Sequence, residues 1–239
     1  MTSPAPQGPT PTGGESGTAL SLRLAAHELK TPLAALSGAA EILSDTQSTL
    51  SDEDRQLVQI IHRNARRMQG LIDDILLLGR LDRGDPRCER TPVCLGSVVA
   101  PIVRRFAHVR GITRTFVAAP ALDDVHLMTD GAHLSRVLEA LIDNAGKFAS
   151  LRVEIELERD DEEIRIVVQD DGIGVPEVER EEIFARFQRN PRGRDVGGGA
   201  GLGLALARDL ARAIGADLRC EGSPRGARFV VAFPATDEA

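Results

Sequence analysis

Four clusters of residues carry groups suited to chemistry. In His27-Glu28-Leu29-Lys30-Thr31-Pro32 an imidazole stands beside a carboxylate. A solvent-facing imidazole can attack phosphorus when one ring nitrogen is free and an acceptor holds the other, and Glu28 is the nearest acceptor. Thr31, four residues on, shares a helical face with His27. Pro32 cannot donate to the Glu28 carbonyl and should distort a helix one turn beyond the histidine. The second cluster, Asp143-Asn144-Ala145-Gly146-Lys147-Phe148, closes a long helical pattern. The Asn144 side-chain oxygen is a hard ligand suited to Mg²⁺, and Lys147, on the same face, can pair with phosphate. The third, Asp170-Asp171-Gly172-Ile173-Gly174, follows a strand-like run. A carboxylate there can accept from an exocyclic amine such as adenine's, and Gly172 and Gly174 let the backbone turn close to a ligand. The fourth, Gly197 to Leu204, opens a helix, so its N–H groups and positive dipole end face outward as a phosphate cradle. It lacks the Gly-Lys-Ser/Thr of a Walker A loop and the preceding strand of a dinucleotide fingerprint. Between the glycine motifs, IFARFQR (183–189) offers Arg186 and Arg189 as phosphate contacts, with solvated arginine an equal alternative for each.

Elements must position these groups. From about Leu20 the apolar residues Leu22, Ala26, Leu29, Leu33, Leu36, Ala40 and Leu43 fall alternately four and three apart, a heptad seam that leaves His27 towards solvent. Ser51 with Asp54 reads as a capping box that starts a second helix. Its seam is Leu57, Ile61, Asn64, Met68, Leu71, Ile75 and Leu78, with a polar register-setting residue at Asn64. Two helices have too few faces to bury both seams, so the pattern predicts a homodimer through residues 20–82 with a four-helix bundle. The alternative is packing on the chain's own C-terminal part. Beyond Gly84-Asp85-Pro86 the period changes. The pattern predicts helices over about 95–108, 131–148 and 201–214, and strands near 112–119, 125–128, 151–158, 164–170, 217–221 and 227–233. That order indicates an α+β layered domain. The expected division is a disordered lead-in (1–18), a helical hairpin (19–83), a linker (84–94) and a catalytic domain (95–239).

Composition excludes some classes. The net charge of -7 argues against nucleic acid as the main partner. No apolar run reaches the roughly 20 residues of a membrane span, and no secretory leader pattern opens the chain. Cys88, Cys94 and Cys220 are scattered and odd in number, which reads as reduced thiols in a cytoplasmic protein. His62, His108, His126 and His133 show no ligand spacing. Lys30 and Lys147 are the two lysines among 29 basic residues, and both fall inside the motifs above.

The string HELKTPLAAL resembles the H-box of sensor histidine kinases. The Asn144 cluster resembles their N-box, DDGIG their D-x-G-x-G box, IFARFQR their F-box, and GGGAGLGL the glycine box of their ATP lid. GSPRGARF (222–229) resembles their terminal glycine box. The likeness covers about residues 20–234. It implies an N-terminal hairpin forming a dimeric four-helix bundle, followed by an α/β-sandwich ATP-binding domain of the histidine kinase/gyrase type. It implies that His27 accepts the γ-phosphoryl group of ATP, that Glu28 takes the imidazole proton, and that Thr31 positions water in the reverse, phosphatase reaction. It implies that Asn144 binds Mg²⁺ and Asp170 reads adenine. Lys147, Gly172, Gly174, Arg186, Arg189, Gly199, Gly201, Leu202 and Gly203 would complete the nucleotide site. The family's second N-box Asn is Ala140 here. The implied partners are a second copy, a separate response-regulator receiver domain and an upstream sensor protein, unless the chain is part of a longer sensor. The rivals are an ATPase of the gyrase, chaperone and mismatch-repair group, a non-catalytic dimeric scaffold, and a phosphatase-biased relative.

Overall fold

A computed structural model describes residues 33–34, 36–43, 51–84, 87–107, 115–188 and 201–239. The chain divides into two compact units, Met1–Gly79 and Arg80–Ala239.

The first unit contains a helix over 36–43 (α1) and most of α2 (Asp52–Leu81). The capping box is present: the Asp54 N–H donates to Ser51 Oγ at 3.1 Å, and the Ser51 hydroxyl donates to Asp54 Oδ2 at 2.7 Å. The first bond satisfies an N-terminal N–H that α2 cannot pair internally, and the second holds the Ser51 hydroxyl in place. Ser51→Ala should therefore cost about 0.5–2 kcal/mol, read as a lower urea midpoint for the helical unit. An unchanged midpoint would show that the cap does not hold the helix start.

Over most of α2 the stripe that packs inside this unit lies beside the expected seam, of which Leu78 is buried. Ala65 and Ile72, with Leu76, pack on Leu33 of the N-terminal segment. Val58, Ala65 and Ile72 are buried, each one position beyond Leu57, Asn64 and Leu71 of the expected seam. Leu57, Ile61 and Met68 stay 58%, 47% and 49% exposed, and Asn64 donates to the Ile60 carbonyl of its own helix. One face of α2 thus serves the hairpin, while the neighbouring heptad face is uncovered in a single chain.

The second unit is a layered α+β domain, as its periodicity indicates. Strands β1 (Thr91–Cys94) and β3 (His126–Thr129) pair antiparallel, so the last part of the expected linker is a strand. The five-stranded mixed sheet has the order β2-β4-β5-β7-β6, with β2 (Thr115–Ala118), β4 (Arg152–Arg159), β5 (Glu163–Asp170), β6 (Asp217–Glu221) and β7 (Arg228–Pro234). Only β2 with β4 runs parallel. Helices α3 (Leu95–Ala107), α4 (Gly131–Phe148) and α5 (Gly203–Ala213) form the second layer, with α4 packed between α3 and α5. The stripe Leu134, Val137, Leu138, Leu141 and Ile142 is fully buried, which is why α4 forms where the 3.6-residue period places it. Ile164, Ile166 and Val168 on β5 are buried with it. The opposite face of the sheet carries Val167, Val230 and Ala232 beneath a lattice of arginine–glutamate pairs such as Arg228–Glu158 at 2.7 Å and Arg219–Glu221 at 2.9 Å. Arginine stems cover that apolar patch while their heads stay paired and wet.

Candidate functional site

Asp170 ends the central strand β5, with β4 on one side and β7 on the other, so it is almost fully buried. Its Oδ1 accepts the N–H of Gly172 at 2.8 Å and of Ala227 at 3.2 Å. Its Oδ2 is buried and has no hydrogen-bond partner. Burial pushes the carboxyl above the usual carboxylate range, and the two N–H groups oppose that rise. A buried acceptor with an open lone pair needs a donor. An exocyclic amine has the right chemistry, so the residues present fit an adenine.

The backbone around Asp170 admits no side chain at two places. A Cβ on Gly172 would lie 2.1 Å from the Phe148 carbonyl oxygen, so the D-x-G-x-G loop packs directly on the end of α4. Gly226, in the terminal glycine box, sits at φ +61, and a Cβ there would lie 1.9 Å from the Asp170 carbonyl oxygen. Gly226→Ala combines a left-handed backbone with a backbone clash, so it should cost about 2–4 kcal/mol and shift the Asp170 loop. A thermal melt within a degree of the parent would show that this approach is not required.

Asp171, which the sequence reading passed over, locks the same corner. Its carboxylate accepts the N–H groups of Ser150, Leu151 and Arg152 at 2.9–3.2 Å, joining the start of β4 to the end of β5. These bonds hold its carboxyl below the usual range. The doubled Asp before Gly was the available signal, since a short carboxylate beside a turn commonly caps backbone N–H groups.

Asn144 and Lys147 lie on α4, whose first turn is capped by Asp130 accepting from the His133 N–H at 2.9 Å. Asn144 is half-buried at the edge of the apolar stripe. It stands one helical turn before Phe148, whose carbonyl abuts Gly172, so the N-box and D-x-G-x-G residues share one end of the domain. Lys147 forms an ion pair with Asp143 on its own helix. Leu202 is buried and immediately precedes Gly203, the first residue of α5, while Gly201 has φ +71. The Gly201 carbonyl accepts the Phe187 N–H at 2.8 Å, which ties the F-box to the glycine-rich loop. Phe187 itself adopts φ 64, a left-handed conformation uncommon for a side-chain-bearing residue. Arg186 is engaged by Asp82 at 2.6 and 2.9 Å and by Asp209 at 3.0 Å. The expected His27, Glu28, Thr31, Arg189 and Gly199 lie outside the described residues, as does Gly197.

Buried acceptor, glycine-lined turn, N-box helix end and glycine-led helix define the second unit as a nucleotide-binding ATPase fold. Residues 129–237 match the family of histidine kinase-, DNA gyrase B- and HSP90-like ATPases, and residues 21–84 match the His kinase A phospho-acceptor domain. With both domains in this order, the chain belongs to the sensor histidine kinases and carries their catalytic core. It is 31% identical over 215 residues to the sensor histidine kinase RppB of Synechocystis, an alignment covering 88% of this chain and 47% of that protein. It is 27% identical over 218 residues to the sensor histidine kinase WalK of Bacillus subtilis, covering 89% and 36%. The chain thus spans less than half the length of these relatives. Among solved structures, full-length ShkA in complex with AMPPNP superposes with a TM-score of 0.70 at 27% identity, covering 92% of this chain and 47% of that one. The histidine kinase ThkA in complex with the response regulator TrrA shares the fold, with a TM-score of 0.59 at 21% identity, covering 90% and 60%. No helix among the described residues is long and apolar enough to cross a membrane.

Proposed function

We propose that the protein binds ATP in the second unit and transfers its γ-phosphoryl group to His27, then to an aspartate of a separate response regulator. One imidazole nitrogen of His27 attacks the γ-phosphorus. The bond to the ADP oxygen breaks as the phosphorus–nitrogen bond forms, and Glu28 accepts the proton from the other ring nitrogen. Asp170 Oδ2 accepts the adenine amine, and Asn144 with Lys147 and the amides of the 197–203 loop face the triphosphate. The Asn144 side-chain oxygen would hold magnesium, which would supply positive charge against the phosphates when bound. The residues divide as a lead-in (1–18), a hairpin (19–83), a linker (84–94) acting as hinge, and a catalytic domain (95–239). The uncovered heptad face of α2 supports a homodimer through residues 20–82, and the reading places the protein in a bacterial cytoplasm.

The observation that carries this reading is the buried, partnerless Asp170 oxygen beside the N-box helix, in a chain that also matches a phospho-acceptor domain. The test is incubation with γ-labelled ATP and magnesium, followed by mapping of the label. Acid-labile phosphohistidine at residue 27 is expected. ATP turnover without a phosphoresidue would favour a gyrase-type ATPase, and absence of nucleotide binding would favour a scaffold.

A further inference from the structure

The geometry points to a second metal site, a zinc-class cation held by Cys88, Asp130 and His133 at the start of α4. The Cys88 thiol, an Asp130 carboxylate oxygen and a His133 ring nitrogen all lie within 4.8 Å of one another. Among the described residues this is the grouping of three such ligands. It is built rather than loose. Asp130 is 7% exposed, and its carboxylate is fixed by the backbone N–H of His133 at 2.9 Å and of Glu89 at 2.9 Å. Each carboxylate oxygen keeps a lone pair after those bonds. His133 Nδ1 is buried and makes no aligned hydrogen bond, although it stands 3.0 Å from Asp130 Oδ1. The two ligand atoms are already paired as imidazole and carboxylate, near the spacing that a shared cation needs.

The ligand chemistry selects the ion. Thiolate, imidazole and carboxylate form a borderline-soft set that favours zinc over magnesium or calcium. Three protein ligands leave a fourth tetrahedral position for water. Bonds of about 2.0–2.3 Å place zinc ligands roughly 3.3–3.8 Å apart, which small side-chain rotations here would reach. The positive end of α4 opposes a cation, an effect that fades within the first turn and is small beside direct ligation by thiolate, imidazole and carboxylate. The thiolate and carboxylate together neutralise the ion. Bound there, it would clip the segment before β1 to the first turn of the helix that carries Asn144, at the end remote from Asn144.

The test uses the full chain after chelator treatment, titrated with zinc chloride and, separately, with cobalt(II) chloride. We expect one ion per chain, a rise in Tm with zinc, and a thiolate-to-cobalt charge-transfer absorption. Cys88→Ser and His133→Gln, both near in size to the parent residues, should each weaken binding at least about 100-fold. Cys88→Ser should also abolish the absorption, while Cys94→Ser and Cys220→Ser should retain it. No absorption in the parent, or absorption that survives Cys88→Ser, overturns the site, as does unchanged zinc affinity in His133→Gln. Circular dichroism of each metal-free variant separates loss of ligand from loss of fold.

Discussion

Replacing His27 with alanine should abolish incorporation of label from γ-labelled ATP and leave nucleotide affinity within about twofold. No other side chain in HELKTP can take its place, since the lysine ammonium and the hydroxyl lack a free lone pair of comparable nucleophilicity at neutral pH. Nucleotide affinity survives because the groups that fit adenine and phosphates belong to Arg80–Ala239, whereas His27 belongs to Met1–Gly79. The measurement is a pair: phosphor counting after a fixed time, and a fluorescent-nucleotide titration. Label on the variant at parental level would move the acceptor elsewhere. Lost nucleotide binding would mean that the histidine contributes to the ATP site itself.

Asp170→Asn should weaken ATP binding about 10- to 100-fold, the equivalent of losing a charge-assisted hydrogen bond of roughly 1.5–3 kcal/mol. The amide oxygen takes the place of Oδ1, which already accepts two N–H groups. The amide NH₂ then occupies the Oδ2 position and meets the adenine amine donor to donor. Stability moves the other way. The folded carboxyl titrates above its unfolded value because of burial. Ionising it therefore costs folding free energy from the unfolded pKa upward, and the full cost applies above the folded pKa. Asparagine removes that cost, so the nucleotide-free variant should melt no lower than the parent at pH 7. In the parent, ATP affinity should fall as pH drops through the raised pKa, because a protonated carboxyl offers a donor where an acceptor is needed. A variant that binds ATP as tightly as the parent while melting alike would remove Asp170 from adenine recognition.

Some of this was written in local order. The 3.6-residue stripe from Leu134 to Ile142 specifies α4 because each member is removed from water on one face. Ser51 and Asp54 mark the start of α2 because their capping bonds span three residues and need no distant partner. D-x-G-x-G was visible as a motif, and its steric reason was not. Gly172 is required by the Phe148 carbonyl, and Gly226 by that of Asp170, contacts made only when the end of α4 and the β5–β7 pair meet. The α2 seam shows the limit of periodicity. Two stripes one residue apart are both apolar enough to pack, and only the helix across the hairpin selects Ala65 and Ile72.

In the Cys88, Asp130 and His133 cluster only Asp130 and His133 are sequence neighbours, and the approach of Cys88 lay beyond reach of spacing. The antiparallel register Thr91↔Thr129 carries the residues before β1 to the residues after β3. Arg186 is a similar case, since its carboxylate partners Asp82 and Asp209 come from opposite ends of the second unit. Side-chain periods and caps are properties of neighbours along the chain, so the amino-acid order alone determined the elements and the motif types. Which buried oxygen lacks a donor, and which distant ligands converge, depends on strand register and layer packing, and only the tertiary structure decided it.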